Sequence, residues 1–293
     1  MNKINILFIF SFVLLSISCT RQQPNQRIIT VTIEPQRYFL EQLVDTLYEI
    51  QTMVPPGMSP ETYDPSPVQM TKLSDSQAYF QIGKIGFELI WMDKIRKNNP
   101  GLQVFDNSKN IHFLVSEEED SHSHSHEGHC HSHEGYDPHI WSSPKQVRMI
   151  IRNMYDALVD LDNPNVEIYK QNLQELEHMV EKTDSIVTHY LQQSGNKTFV
   201  IYHPALTYLA NDYGLTQLCI ETEGKEPSPE QLRHLIEKIK ENQIQTVFIQ
   251  QEFDQKNAEI IAKETGCHLH VINPLAYNWN EEMIRIAKAF SNE

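Results

Sequence analysis

Residues 164–193 read PNVEIYKQNLQELEHMVEKTDSIVTHYLQQ. Pro164 suits the first turn of a helix, where its missing N–H leaves no bond unmade, and Gly195 suits the stop. Between them Leu173, Leu176, Val180, Ile186, Val187 and Leu191 recur at roughly helical spacing. About thirty helical residues would run about 45 Å, long for a helix inside one compact domain. The stretch reads as a rigid strut between two lobes. The plainer alternative is a long surface helix of a single domain.

Working outward, β-branched apolar runs alternate with helical patterns on both sides. Before the strut, strands are expected at 28–33, 53–57, 78–82 and 102–105, with helices at 36–49, 85–97 and from Pro144 to about 160. After it, strands at 199–202, 218–220, 246–250 and 268–272 alternate with helices ending at Tyr213, at 229–241, at 255–265 and starting at Trp279. Strand–helix alternation implies parallel sheets covered on both faces. The expected fold is therefore α/β, with two lobes, each a mainly parallel sheet flanked by helices, joined by one long rigid helix. The lobes fall at 27–160 and 196–293, and the joining helix at 164–193.

The chain has 293 residues, 40% hydrophobic and 22% charged, which excludes a disordered chain or a coiled rod. Its net charge of −15 argues against nucleic acid, whose phosphates need Lys and Arg. It suits a cationic cargo, and equally any acidic soluble protein. Residues 4–18, INILFIFSFVLLSIS, are apolar, too short to span a bilayer and followed by polar residues, so 1–18 are expected to be an export signal. Cys19 after Ser-Ile-Ser resembles a bacterial lipobox, with Ser16 where Leu is usual. Lipidation there would anchor the exported chain to a membrane; a plain secretory peptide is the alternative. Of the other cysteines, Cys219 and Cys267 lie near expected strands and either pair or remain two buried thiols.

Histidines are unusually frequent, 14 in all. His122, His124, His126, His129, His131 and His133 fall within SEEEDSHSHSHEGHCHSHEG at 116–135. That segment cannot pack a core. Neutral imidazoles with the Cys130 thiolate suit zinc, copper and nickel, so it reads as a loop that collects metal with shifting ligand sets. An acidic polar spacer is the alternative.

Three further loops each end an expected strand, where ligands bind in open α/β sheets. The first, MVPPGMSPETYDP at 53–65, is stiffened by prolines that would hold Glu61. The second, DPHIWSSP at 137–144, places His139 in a polar turn before a helix. In the third, His203 closes TFVIYH. Taken singly, each residue has an ordinary structural reading, and their wide separation forms no local metal motif.

The proline-rich VPPGMSPETYDPSP, the internal His/acid loop, DPHIW, YHPALTYLANDYGL, IETEGKEPSPEQL and INPLAYNW occur in this order. Together they resemble the zinc/manganese-class substrate-binding proteins of bacterial ABC uptake transporters, the TroA-like group, nearest its zinc-binding ZnuA-like branch. The likeness runs over about 28–290. It implies two α/β lobes joined by one long helix, with a metal clamped between them. It also implies four ligand positions. Glu61 stands where the family usually has His, His139 and His203 match the second and third, and Asn273 stands where an Asp is frequent. Asn273 would be a weak neutral ligand or leave a water in its place.

Two imidazoles and a carboxylate suit Zn²⁺, while the added oxygen makes Mn²⁺ or Fe²⁺ less improbable. Glu252, after a strand of the second lobe, is expected to support the ligands or to be a spare oxygen donor; Asp64 is expected to serve its turn. The resemblance implies a receptor that catalyses nothing and hands zinc to a membrane permease driven by an ATPase. Two rivals remain. A secreted zinc hydrolase lacks HExxH and an identifiable general base. A metal-buffering or adhesin lipoprotein would depend on the His loop.

Overall fold

The computed structural model describes residues 27–115, 135–221 and 225–291. The export signal, Cys19 and the six loop histidines lie outside them. The run IITV forms β1 (Ile28–Val31), whose last three residues are buried. It is flanked by β2 (Glu49–Thr52) and β3 (Ala78–Gln81), and β4 (Gln103–Asp106) completes a parallel sheet of order β2-β1-β3-β4. The second lobe repeats the plan with β5 (Thr198–Ile201), β6 (Thr216–Cys219), β7 (Thr246–Gln250) and β8 (His268–Ile272), ordered β6-β5-β7-β8 and parallel. In each lobe the order reverses at the first strand, and the crevice at that point is where such sheets bind ligands.

Two expectations for the first lobe are corrected. Helix α1 (Glu34–Val44) stops earlier than expected because Asp45 takes a left-handed φ of 50°, its N–H donating to Glu41 O at 2.9 Å. The second strand is then EIQT rather than 53–57. It is an edge strand with only Ile50 buried, so its polar residues hide the strand pattern. A short helix, α2 (Pro67–Leu73), also lies in what reads as loop. Ser66 caps it, accepting from Gln69 N–H, with Pro67 in its first turn. Next come α3 (Gly86–Asn98) and α4 (Pro144–Leu161).

The joining helix is α5 (Val166–Gln193), preceded by a 3₁₀ turn at Asn163–Asn165. Its 28 residues run about 42 Å. It is not a bare strut. Tyr169, Leu176, Val180, Thr183, Val187 and Leu191 are buried along one stripe, against α1, α4 and α9 (Trp279–Lys288). A single apolar core therefore runs from Ile29 and Phe80 through Leu176 and Val187 to Phe199 and Phe248. Trp279 and Trp141 close the lobe junction. Trp279 Nε1 donates to Trp141 O at 2.7 Å, Trp141 Nε1 to Pro274 O at 3.0 Å, and Phe39 packs edge-on to Trp279 at 5.1 Å.

The remaining helices of the second lobe are α6 (Thr207–Tyr213), α7 (Pro229–Glu241) and α8 (Lys256–Thr265). Cys219 and Cys267 do not pair. Cys219 is disulfide-bonded, and Cys267 is a free, buried thiol donating to Ile244 O at 3.0 Å. Cys219 ends β6 and Cys267 precedes β8, at opposite edges of the sheet. Three strand spacings of about 4.8 Å put them well beyond disulfide reach.

Candidate metal centre

The site is built from loops at the carboxyl ends of the strands. Glu61 follows β2 and His139 follows β4; His203, Glu221, Glu252 and Asn273 follow β5, β6, β7 and β8 in turn. Glu61, His139 and His203 each offer a ligand atom within 4.8 Å of the others, the one such group of three among the described residues.

The proline-rich loop is laid on the start of α3. Phe87 N–H donates to Pro60 O at 2.8 Å and Gly86 N–H to Glu61 Oε2 at 3.1 Å. A Cβ on Gly86 would lie 2.5 Å from Glu61 O and 2.8 Å from its Oε2, so only glycine allows this approach. Glu61 Oε1 is buried and has no hydrogen-bond partner. One carboxylate oxygen is thus held by backbone while the other stays unengaged.

His139 is buried, and its ring is fixed by Asp137, whose Oδ1 lies 2.8 Å from the His139 N–H and 3.0 Å from Nδ1. Tyr208, from α6 of the other lobe, donates to Asp137 O at 2.8 Å. Burial alone would lower the His139 pKa, but the Asp137 carboxylate outweighs it and the net shift is upward. Burial likewise opposes ionisation of Asp137, yet His139 brings its pKa below the ordinary carboxylate value.

His203 is held in the same manner, with Nδ1 2.7 Å from Glu221 Oε1. Gln250, the last residue of β7, clamps its backbone, accepting from the His203 N–H at 3.3 Å and donating to its carbonyl at 2.7 Å. Phe253 stacks on the ring at 5.5 Å. A carboxylate on each Nδ1 selects the tautomer whose Nε2 lone pair is free, and the two Nε2 atoms face one another at 3.3 Å.

The small cavity between them leaves about 10 Å³ for the centre of a water-sized sphere, on the order of what one water or ion needs. Ser59, Pro60, Trp141, Ala205, Glu252, Phe253, Pro274 and Leu275 complete its wall, which carries no Lys or Arg. A larger groove of about 690 Å³ runs along the edge strand β2, but its lining includes no histidine.

Of the expected residues, the fold brings Glu61, His139 and His203 together and places Glu252 on the same cavity. Asn273 does not line it. Its Oδ1 accepts from Leu275 N–H at 3.2 Å and its own N–H donates to Glu282 at 2.6 Å, so it shapes the turn before α9. Asp64 is exposed. The site also depends on Asp137, Glu221, Gly86, Gln250 and Phe253, none of which the motifs point to. Asp137 could have been found, since it stands two residues before His139 in DPHIW; Glu221 could not, because only the sheet brings β6 beside β5.

Residues 29–287 match the family described as zinc-uptake complex component A, periplasmic. The chain belongs to that family. It is 28% identical over 284 residues to the zinc-binding lipoprotein AdcA of Streptococcus pneumoniae, covering 94% of this chain and 56% of that protein. The chain thus spans about half the length of that curated relative. It is also 28% identical over 250 residues to the high-affinity zinc uptake system protein ZnuA of Bacillus subtilis, covering 84% of this chain and 78% of the relative. A crystal structure of ZnuA superposes with a TM-score of 0.83 at 34% identity, covering 91% of this chain and 98% of that one.

Proposed function

We propose that this protein is the extracytoplasmic receptor of a metal ABC uptake transporter, that it captures Zn²⁺ between its lobes through Glu61, His139 and His203, and that it delivers the ion to a membrane permease driven by an ATPase. The observation that carries the reading is the pair of Nε2 atoms at 3.3 Å beside an unpartnered Glu61 oxygen. Two nitrogens about 2.0–2.1 Å from a tetrahedral zinc lie about 3.3–3.4 Å apart, and facing lone pairs at that distance call for a cation between them. Family membership supports zinc as cargo. The carboxylate at position 61 keeps Mn²⁺ or Fe²⁺ as a second cargo.

A zinc hydrolase is disfavoured because the chain belongs to a family of zinc-uptake components. Export through residues 1–18 and anchoring through a lipid on Cys19 belong to the same reading. Among the described residues no helix is long and apolar enough to cross a membrane.

The test is metal content and competitive zinc and manganese titration of protein purified without added metal. Wild type should hold one ion tightly, and the combined Glu61→Ala, His139→Ala, His203→Ala variant none. Retention of one tight zinc by that variant overturns the site. Deleting residues 117–135 should leave the tight site intact; loss of most bound metal would favour the buffering or adhesin reading.

A further inference from the structure

The triad supplies three donors, and a tetrahedral ion takes four. We propose that Glu252 provides the remaining oxygen, turning onto the ion from the second lobe; this rests on the triad being the metal site. Glu252 lines the cavity holding Glu61, His139 and His203, yet its carboxylate lies outside the 4.8 Å triad, so it reaches the ion only by side-chain movement. Burial raises its pKa against the lowering by its own backbone N–H and by the neighbouring His203 and His139, and among the described residues it has no ion pair.

The backbone beneath it is fixed on both sides. Gln250, two residues earlier, is hydrogen-bonded twice to His203, and Phe253, the next residue, stacks on the His203 ring. Glu252 is therefore indexed to a ligand, while its carboxylate is bonded only to its own backbone N–H and can turn away from it. The oxygen of Asn273, expected at this place, is already engaged with Leu275 N–H, and Pro274 and Leu275 present apolar surface instead.

Completion by Glu252 gives two imidazole nitrogens and two carboxylates, one from each lobe. That set neutralises a divalent ion and carries more oxygen character than a three-histidine site. Manganese, which favours oxygen donors, should depend on Glu252 more than zinc does.

The experiment compares wild type, Glu252→Gln, Glu252→Asp and the triad triple-Ala variant by competitive titration with Zn²⁺ and Mn²⁺, with X-ray absorption of the zinc forms and apo melting temperatures. Glu252→Gln should melt like wild type, bind zinc at least about tenfold more weakly, lose proportionally more manganese affinity, and show one fewer carboxylate oxygen on zinc. Glu252→Asp should recover part of the loss. Unchanged affinity and coordination in Glu252→Gln, with binding abolished in the triple variant, overturns the Glu252 assignment and leaves the triad. Weaker binding with an unaltered coordination shell also overturns it, because Glu252 would then act only through its charge. Tight zinc in the triple variant overturns both.

Discussion

His139 Nε2 lies 3.3 Å from His203 Nε2, although the two residues come from different lobes. Each ring is backed by a carboxylate, Asp137 at 3.0 Å and Glu221 at 2.7 Å. The proton on each Nδ1 is thereby directed away from the cavity, and the cavity-facing nitrogens are the ones that can ligate.

This pairing sets a pH dependence. Metal must displace any proton on His139, and Asp137 raises that proton's affinity above that of an ordinary imidazole. Zinc affinity should therefore begin to fall at a higher pH than an unperturbed histidine would give. Asp137→Asn removes the largest raising charge and leaves burial, which lowers the pKa, opposed only by the smaller raising effects of Glu61 and Glu221. The fall should then start at lower pH, while affinity at neutral pH drops about 10–100-fold because the ring loses its orienting acceptor. Calorimetric zinc titrations across acidic to neutral pH check both shifts; an unmoved onset in Asp137→Asn refutes the coupling.

Gly86→Ala tests the seating of Glu61. The added methyl would meet Glu61 O at 2.5 Å and Cα at 2.9 Å, both backbone of a loop held by prolines, and the carboxylate Oε2 at 2.8 Å. Overpacking of this kind costs about 1–3 kcal/mol, and the displaced carboxylate should weaken zinc binding about tenfold or more. Denaturant melts and zinc titration read the two effects separately. Wild-type affinity in Gly86→Ala would show that the Gly86 contact does not place the ligand.

Much of this was legible before any fold was known, for identifiable reasons. The joining helix announces itself through its stripe, and β7 and β8 through dense apolar runs that match their boundaries. By contrast β2 escaped detection because an edge strand buries one residue of EIQT, and α2 because its signal lies in the Ser66–Gln69 capping box rather than in periodicity. Glu61, His139 and His203 follow from motif resemblance; their spacing carries no such signal, since the three meet, and Glu221 reaches His203, only once strands far apart in sequence align. Asn273 stays off the cavity because a residue at a strand end need not face the crevice: its amide oxygen closes the turn to Leu275. The disulfide question needed strand order, which sequence alone does not supply.

The Trp279–Trp141 contact makes the two lobes one folding unit. Trp279→Phe keeps an aromatic ring but leaves the buried Trp141 carbonyl without its donor, at a cost of about 1–3 kcal/mol. Trp279→Ala should cost about 3–5 kcal/mol. In wild type, tyrosine fluorescence and far-ultraviolet dichroism should report one coincident urea transition, because a single core crosses the junction. Separate transitions in wild type would contradict that continuity. The same core limits domain motion, so small-angle scattering profiles with and without zinc should superimpose; a clear contraction on zinc would indicate hinge closure instead.

Glu88 provides the last test, remote from the ligands. Its buried carboxyl accepts from Thr32 Oγ1, from Ile82 N–H at 2.7 Å and from Gly83 N–H at 2.7 Å, joining the ends of β1 and β3 beneath the loop that carries Glu61. Burial raises its pKa from the ordinary 4.5 to about 8, outweighing the lowering by those donors. A folded-state value above the unfolded one means that the native state binds the proton more tightly. Its favourable contribution is complete below the unfolded value and is lost as pH rises toward about 8. The Gln in Glu88→Gln stays neutral throughout but turns an amide donor toward Ile82 or Gly83 N–H, which should cost about 1–3 kcal/mol at mildly acidic pH. The advantage of wild type over Glu88→Gln should therefore shrink as pH is raised to about 8 and level off beyond it. Urea unfolding of both proteins at several pH values measures this directly; an advantage that grows with pH would show that Glu88 is ionised in the fold.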